Sequence, residues 1–114
     1  MHLSEPWYTA VAAGSKTIEG RVLDDKRKLI DVGDTIVFTC GTHSVRRVVW
    51  QITTHPDFAD AISSVSLERL LPGVTSVADA NAVYNAFYPD AHGVVLIYFC
   101  VCEESVLDIT MCLK

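Results

Sequence analysis

The 114-residue chain lacks a long hydrophobic run. Its longest apolar stretch, 93–102, spans ten residues and includes Tyr98, so it is too short to cross a membrane and has the length of a buried strand. The first ten residues hold no basic segment, and Glu5 and Pro6 stand where a secretory signal needs an apolar core. The sequence therefore predicts a cytoplasmic protein with no membrane partner.

Positive charge is also scarce. The chain has nine Lys and Arg against fourteen Asp and Glu, for a formal net charge of −5. Because nonspecific nucleic-acid binding gains its affinity from neutralised phosphates, this balance argues against coating of long DNA or RNA. A local basic patch for one nucleotide or a short strand is still compatible with it, and residues 24–28 or Arg46 and Arg47 are candidates. A mixed-charge surface loop is the competing interpretation of residues 24–28.

The four cysteines lack a metal-binding pattern. Cys100 and Cys102 lie two apart in a strand pattern and so face the same side of a sheet, and neither a CxxC spacing nor a matched pair of histidines accompanies them. We expect reduced, structural thiols at these positions and at Cys40 and Cys112, because free cysteine is among the most buried residue types. The sequence predicts no metal and no cofactor.

Half of the residues are hydrophobic and one fifth are charged, as in folded globular proteins. The length is that of one ordinary domain, so we expect residues 1–114 to form a single domain. The first helix is expected to begin after Ser4, which can cap it, and to end at Gly14. Further helices are expected near Asp57, after Ser66 and from Ser76 to Phe87. The predicted strands are 1–3, 17–23, 35–39, 45–54, 94–101 and 107–113.

Several short strands with few helices favour an α+β, mainly β fold, built as a small, partly open barrel with helices over its ends. Residues 94–101 are apolar on both faces, which is the pattern of a central strand. Within 45–54, Val48, Trp50 and Ile52 share one face of the strand, and one of its two faces is expected to belong to the core.

Charge is concentrated at the start of the strand 17–23, where Lys16, Glu19 and Arg21 lie within six positions. Because strand residues two apart share a face, Ile18 and Val22 are expected to pack into the barrel while Glu19 and Arg21 point the other way. An exposed Glu19–Arg21 ion pair is one interpretation. The other is that Lys16 leans over Glu19 and Arg21 at the mouth of the barrel.

The segment GSKTIEGR resembles, at every fixed position, the G-x-K-x-x-E-x-R signature of the ASCH domain family. This family is a branch of the PUA-like superfamily of small β-barrels associated with RNA and modified nucleosides. The later segments LIDVGDTIVF and LPGVTSVADANAVYNAFYPDAHGVVLIYF are also similar to the family, so the resemblance covers most of the chain. It implies a PUA-like barrel of five to six strands with flanking helices.

The resemblance also implies a cleft between the barrel and the helical insert, with Lys16, Glu19 and Arg21 on its wall. Lys16 can neutralise a phosphate or, if desolvated, act as a proton shuttle or nucleophile. Glu19 can accept a hydrogen bond from a base or sugar or act as a general base, and Arg21 can orient Glu19 or hold a phosphate. Tyr84 and Tyr88 are candidates for stacking on a base.

Two further residues have competing interpretations. Trp7 is another stacking candidate, although its spacing with Ala10 and Val11 favours a buried helix face. His92, in the PDAHG loop, lies nearest in sequence to the predicted closing strand and is either a site residue or a solvated loop residue.

The expected function is binding of RNA or a modified nucleoside in this cleft. The alternative is a small hydrolase with Lys16 and Glu19 as catalytic residues, acting as an amidohydrolase on N4-acylated cytidine or as a ribonuclease. Some related amidohydrolases carry threonine where Glu19 stands, which argues against a threonine nucleophile, although a Lys16–Glu19 pair can still activate a water. For a site that only binds, Lys16→Ala is expected to leave stability nearly unchanged. Protein interaction through the helical insert is a third hypothesis without a positive signal.

Overall fold

A computed structural model describes residues 1–25 and 30–100 of the chain. The strands form an antiparallel sheet in the order β1-β4-β3-β2, which curls into a half-barrel and carries the helices. The fold class is therefore α+β, as the sequence predicts. In chain order the elements are α1 (Trp7–Ala13), β1 (Ile18–Val22), β2 (Thr35–Cys40), β3 (His43–His55), α2 (Phe58–Ser63), α3 (Leu67–Leu70), α4 (Val77–Phe87) and β4 (Val94–Phe99).

Four of the six predicted strands lie in this sheet. Residues 1–3 contribute an isolated parallel bridge between His2 and Thr39, so the prediction of a full strand there is wrong. The predicted strand 107–113 lies outside the described residues. The described part of the chain thus forms a four-stranded half-barrel, and a barrel of five to six strands stays a prediction.

The central strand β4 is buried on both faces, as its uninterrupted apolar sequence predicts. Val94 and Leu96 pack with α2, α3 and α4 on one side, here termed the helical face. Val95, Ile97 and Phe99 pack with α1 and β2 on the other side, the α1 face. Each face of the sheet therefore has its own hydrophobic cluster.

The pairing of β1 with β4 decides which way the β1 side chains point. Glu19 pairs with Ile97 and Arg21 pairs with Val95, so both charged side chains lie on the α1 face. Ile18 belongs to the cluster of the helical face instead. Val22 packs against the same cluster, so the predicted separation of the apolar pair from the charged pair is confirmed, and α2, α3 and α4 cover the apolar side of β1.

Strand β3 changes face part-way along its length. Val49 and Ile52 both pack in the cluster of the α1 face although they are three residues apart. The register shifts between Val49 and Gln51, and an extra residue of this kind reverses the two-residue alternation of a strand. Val48 and Trp50 therefore do not share the face of Ile52, contrary to the prediction from the sequence.

Most helix ends follow the predicted capping residues. Gly14 ends α1 with φ of 90°, which glycine adopts without steric cost. The side chains of Asp57 and Ser76 each accept a hydrogen bond from the backbone amide three residues ahead, at 2.8 and 3.1 Å. The sequence predicts Ser4 as the cap of α1, but the carboxylate of Glu5 accepts the hydrogen bond instead, from the amide of Thr9.

Arg47 is buried and serves α1. Its Nη2 donates to the carbonyl oxygens of Val11 at 3.2 Å and Ala12 at 3.4 Å, and its Nη1 donates to the carbonyl of Arg46 at 2.7 Å. A cation at the carboxyl end of a helix stabilises the exposed carbonyls there. Arg47 is therefore not part of a basic surface patch, and residues 26–28 of the other candidate patch lie outside the described residues.

The described cysteines are free thiols. Cys100 is buried and Cys40 is partly buried, while Cys102 and Cys112 lie outside the described residues.

Within residues 1–25 and 30–100, no helix combines the length and the apolar composition that a membrane crossing requires.

Candidate functional site

Lys16 lies between the end of α1 and the start of β1, and only 1% of it is exposed. Its Nζ donates to the carbonyl oxygen of Ile18 at 2.6 Å and to that of Leu70, and it lies 3.3 Å from Oε1 of Glu19. The three donors of the ammonium group are thus all occupied. Burial lowers the pKa of Lys16, and the charge of Glu19 opposes that shift.

Glu19 connects Lys16 to Arg21. Its Oε1 faces Lys16 and accepts a hydrogen bond from the Gly20 amide at 3.1 Å. Its Oε2 accepts a hydrogen bond from Nε of Arg21 at 3.0 Å and lies 3.0 Å from Nη2 of the same side chain. A carboxylate has about four lone-pair sites, so these four donors fill its capacity. Lys16, Glu19 and Arg21 together are termed the ion network below.

Arg21 is the member of the ion network with a donor to spare. Its Nη2 also donates to the carbonyl oxygen of His2 at 2.5 Å, which joins β1 to the start of the chain. Its Nη1 has no partner among the described residues, and 13% of the side chain is exposed. A ligand beside β1 can therefore accept a hydrogen bond from Arg21.

A cavity of about 190 Å³ lies beside the ion network. Glu19 and Arg21 line it, whereas Lys16 does not and lies behind Glu19. The remaining wall is largely apolar and includes side chains from the start of the chain, from the loop after α3 and from α4. Examples are Leu3, Trp7, Leu71, Val83, Tyr84 and Phe87.

Three aromatic rings stack at the α4 side of this cavity. Phe58 lies between Tyr84 and Tyr88, with ring centroids 4.3 and 5.6 Å away and interplanar angles of 10° and 14°. Tyr84 and Tyr88 both line the cavity. Phe58 was missed in the sequence because it is the first residue of α2, far from the signature, and no local pattern links it to either tyrosine.

The hydroxyl of Tyr84 is buried close to the Gly20 amide, but that amide donates to Glu19, and the hydroxyl has no described partner with the geometry of a hydrogen bond. It packs against β1 so closely that a Cβ added at Gly20 would lie 3.1 Å from the hydroxyl oxygen. Burial, and then the nearby charge of Glu19, raise the pKa of Tyr84 well above its usual range. The phenol therefore stays neutral next to the ion network.

The structure brings most of the predicted site residues together. Glu19, Arg21, Tyr84 and Tyr88 surround the cavity beside the ion network. The position of Trp7 is compatible with both of its interpretations, a buried helix face and a stacking residue. Its side chain is partly buried against both hydrophobic clusters and also lines the cavity.

His92 is exposed and lies apart from this cavity, in the lining of a second one. The roles of all these residues toward a ligand stay predictions.

The sequence profile of the ASCH domain matches residues 1–110 of this chain. The chain belongs to the ASCH domain family. The fixed positions of its signature have distinct structural roles, because Gly14 ends α1 while Lys16, Glu19 and Arg21 form the ion network.

Solved structures are similar to this ASCH domain over 87% of its length. The crystal structure of hypothetical protein PH0355 is 35% identical with a TM-score of 0.78, and 94% of that chain is covered. The solution structure of PF0455 from Pyrococcus furiosus is 34% identical with a TM-score of 0.69, and 92% of that chain is covered.

A mutant of the ASCH protein ZmASCH from Zymomonas mobilis shares the fold, with 14% identity, a TM-score of 0.63 and 66% of its chain covered. No curated protein matches the sequence at a significant level.

Proposed function

We propose that this ASCH domain binds RNA or a modified nucleoside, with one base in the cavity beside the ion network. The observation that carries the proposal is the pairing of aromatic walls with an unused arginine donor. The cavity measures about 190 Å³. Since an apolar cavity of about 150 Å³ can hold benzene, one planar ring is the size of ligand that it suits.

The polar wall favours a ligand that accepts hydrogen bonds. The oxygens of Glu19 are occupied by Lys16, Gly20 and Arg21, whereas Nη1 of Arg21 is unused among the described residues. A carbonyl oxygen on a pyrimidine, or on an acyl group attached to one, matches this donor. Lys16 acts through Glu19 in this proposal, because its own donors are occupied.

Hydrolysis in the same cavity is the second candidate function, on N4-acylated cytidine or on an RNA phosphodiester. It is supported by the buried Lys16–Glu19 ion pair next to the cavity. In such a reaction Glu19 takes a proton from a water that attacks the amide carbon or the phosphorus. Glu19 must first release one of its four donors to do so, and for this reason we favour binding over hydrolysis.

The test is a panel of cytidine, uridine, N4-acetylcytidine and short single-stranded RNAs, with binding measured by calorimetry and turnover by chromatography. Arg21→Met should weaken binding by about tenfold to a hundredfold, the usual effect of losing a charge-assisted hydrogen bond. Arg69→Met is the matched control, because Arg69 is exposed on α3 and does not line the cavity.

Thermal unfolding checks that both variants fold. The proposal fails if no member of the panel binds, or if Arg21→Met and Arg69→Met bind equally well. Turnover of any member that Glu19→Gln abolishes while binding persists would make the protein a hydrolase.

A further inference from the structure

A second cavity measures about 350 Å³. Among the described residues, Tyr88 is the one that lines both cavities. The ring of Tyr88 is held in place by its stacking on Phe58. A ligand that fills both cavities therefore contacts this residue in each of them.

Helix α4 borders both cavities and presents a different row of side chains to each. Val83 and Phe87 line the first cavity, and Asn81 and Asn85 line the second. Residues four apart lie on the same side of a helix, and the row of Tyr84 and Tyr88 falls between these two rows. The sequence of α4 thus forms three rows of side chains. We term Val83 and Phe87 the apolar wall, Tyr84 and Tyr88 the tyrosine ridge, and Asn81 and Asn85 the amide wall.

The amide wall has hydrogen-bonding groups to spare. The Nδ2 of Asn81 donates to the carbonyl of Val77 at 3.1 Å, which leaves the side-chain oxygen of Asn81 unused. Asn85 is exposed, and its side chain and the His92 ring have no hydrogen-bond partner within the described residues.

The second cavity has negatively charged side chains in its lining. Asp57 and Asp90 line it, and its described lining contains neither Lys nor Arg. A phosphate group is therefore disfavoured there, whereas a neutral group that donates hydrogen bonds is favoured. Asparagine pairs with the edge of adenine through two hydrogen bonds, and carboxylates accept from the amino group of cytosine.

We propose that the second cavity is a subsite for the neighbouring base of a single-stranded ligand, and that it selects a base with an exocyclic amino group. This inference rests on the proposed function, since the first base occupies the cavity beside the ion network. The two bases lie on either side of the tyrosine ridge, where an aromatic ring stabilises an unstacked base. The linking phosphate stays outside the acidic lining.

The experiment compares nucleosides with dinucleotides by calorimetry. The probes are cytidine, uridine and N4-acetylcytidine, and the dinucleotides that join each of them to adenosine or to uridine, in both orders. We expect the dinucleotides of uridine with adenosine to bind about tenfold more tightly than uridine, and the dinucleotide of two uridines, which has no amino group, to gain less. Asn85→Leu should remove that gain without changing nucleoside affinity, and Ala86→Asn, which places an amide on α4 outside both cavities, should have no effect.

The outcomes separate this inference from the proposed function. If the nucleosides bind and the dinucleotides bind no more tightly, the second subsite is refuted while the first site stands. An equal gain from uridine, or an equal loss of nucleoside and dinucleotide affinity in Asn85→Leu, refutes selection of an amino group by the amide wall. If none of the nucleosides or dinucleotides binds, the inference fails, and the short single-stranded RNAs of the first panel decide whether the proposed function fails with it.

Discussion

Two series of polar side chains lie on opposite faces of the sheet. On the helical face, Asp60 Oδ1 lies 2.6 Å from Nδ1 of His55, whose Nε2 lies 2.9 Å from Oγ1 of Thr53, which in turn lies 3.2 Å from the Tyr98 hydroxyl. We term these four residues the His55 chain. Carboxylate, imidazole and hydroxyl follow one another in it as in a nucleophilic triad.

The ion network on the α1 face does not have the order of groups of a nucleophilic triad, but it is better placed than the His55 chain to contact a ligand. It adjoins a cavity and keeps one arginine donor unused among the described residues, whereas neither cavity described above is lined by His55 or Thr53. The Asp60 side chain is 53% exposed, in contrast to 7% for Glu19. The unsatisfied donor at a cavity wall is therefore our reason to propose the candidate site at the ion network and not at the His55 chain.

The largest expected effect tests this difference in burial. Glu19→Gln should lower the free energy of unfolding toward the lower end of about 3–5 kcal/mol, because it leaves the buried Lys16 ammonium without its countercharge. Asp60→Asn makes the same chemical change in the His55 chain and should cost only about 0–1 kcal/mol, since that carboxylate is exposed. Urea unfolding measures both, and equal losses would contradict the comparison.

Variants of Lys16 test the same buried ion pair. The expectation that Lys16→Ala leaves stability nearly unchanged does not fit a side chain that is 1% exposed and hydrogen-bonded to two carbonyl oxygens. Lys16→Met in the Glu19→Gln background should recover part of the lost stability, because it removes the unpaired charge and keeps most of the side-chain volume. A double variant that is less stable than Glu19→Gln alone would refute the explanation by charge.

Removal of one hydroxyl beside the ion network and of one in the His55 chain has the next largest expected effects. Tyr84→Phe should leave stability unchanged or raise it by about 1 kcal/mol, because its buried hydroxyl has no partner in the described structure. Tyr98→Phe should lower stability by about 0.5–1.5 kcal/mol, because its hydroxyl meets Thr53 in the His55 chain. Chemical unfolding of the two variants compares them, and a larger loss in Tyr84→Phe would show that its hydroxyl is satisfied.

The smallest effect is a dependence on pH. The pKa of Tyr84 is raised in the folded state above its ordinary value of 10.0, so only the unfolded chain loses this proton just above pH 10. Stability that is fully present below pH 10 is therefore lost as the pH rises toward the folded pKa. Between about pH 9 and about pH 11, on either side of the usual tyrosine pKa, the Tyr84→Phe variant should lose less stability than the unaltered protein. Unfolding followed by circular dichroism measures this loss. A parallel decline in both proteins would contradict the raised pKa.

The sequence predicts the helices and most strands well, because their ends depend on local chemistry. Asp57 and Ser76 begin their helices with capping hydrogen bonds, and Gly14 ends one with a left-handed backbone. The faces of β3 are predicted less well. Alternation alone cannot reveal the bulge after Val49, nor the helices that cover the Ile18 side of β1.

The candidate site follows the same division. The signature places Glu19 and Arg21 side by side, because residues two apart on a strand share a face. The sequence cannot show that Lys16 is saturated, since the carbonyl it binds at Leu70 is 54 positions away and belongs to another element. The same holds for Phe58, whose place between Tyr84 and Tyr88 depends on the packing of α2 against α4.

The bond from Lys16 to Leu70 also has a consequence for amide hydrogen exchange. Helix α3 has only four residues, which is too short to persist in water without contacts to the rest of the protein. The ammonium of Lys16 holds its last carbonyl, and the Thr17 amide donates to the carbonyl of Arg69 at 3.0 Å. When β1 opens, α3 loses both anchors at once. We therefore expect the amides of β1 and α3 to exchange as one cooperative opening unit, although they are distant in sequence.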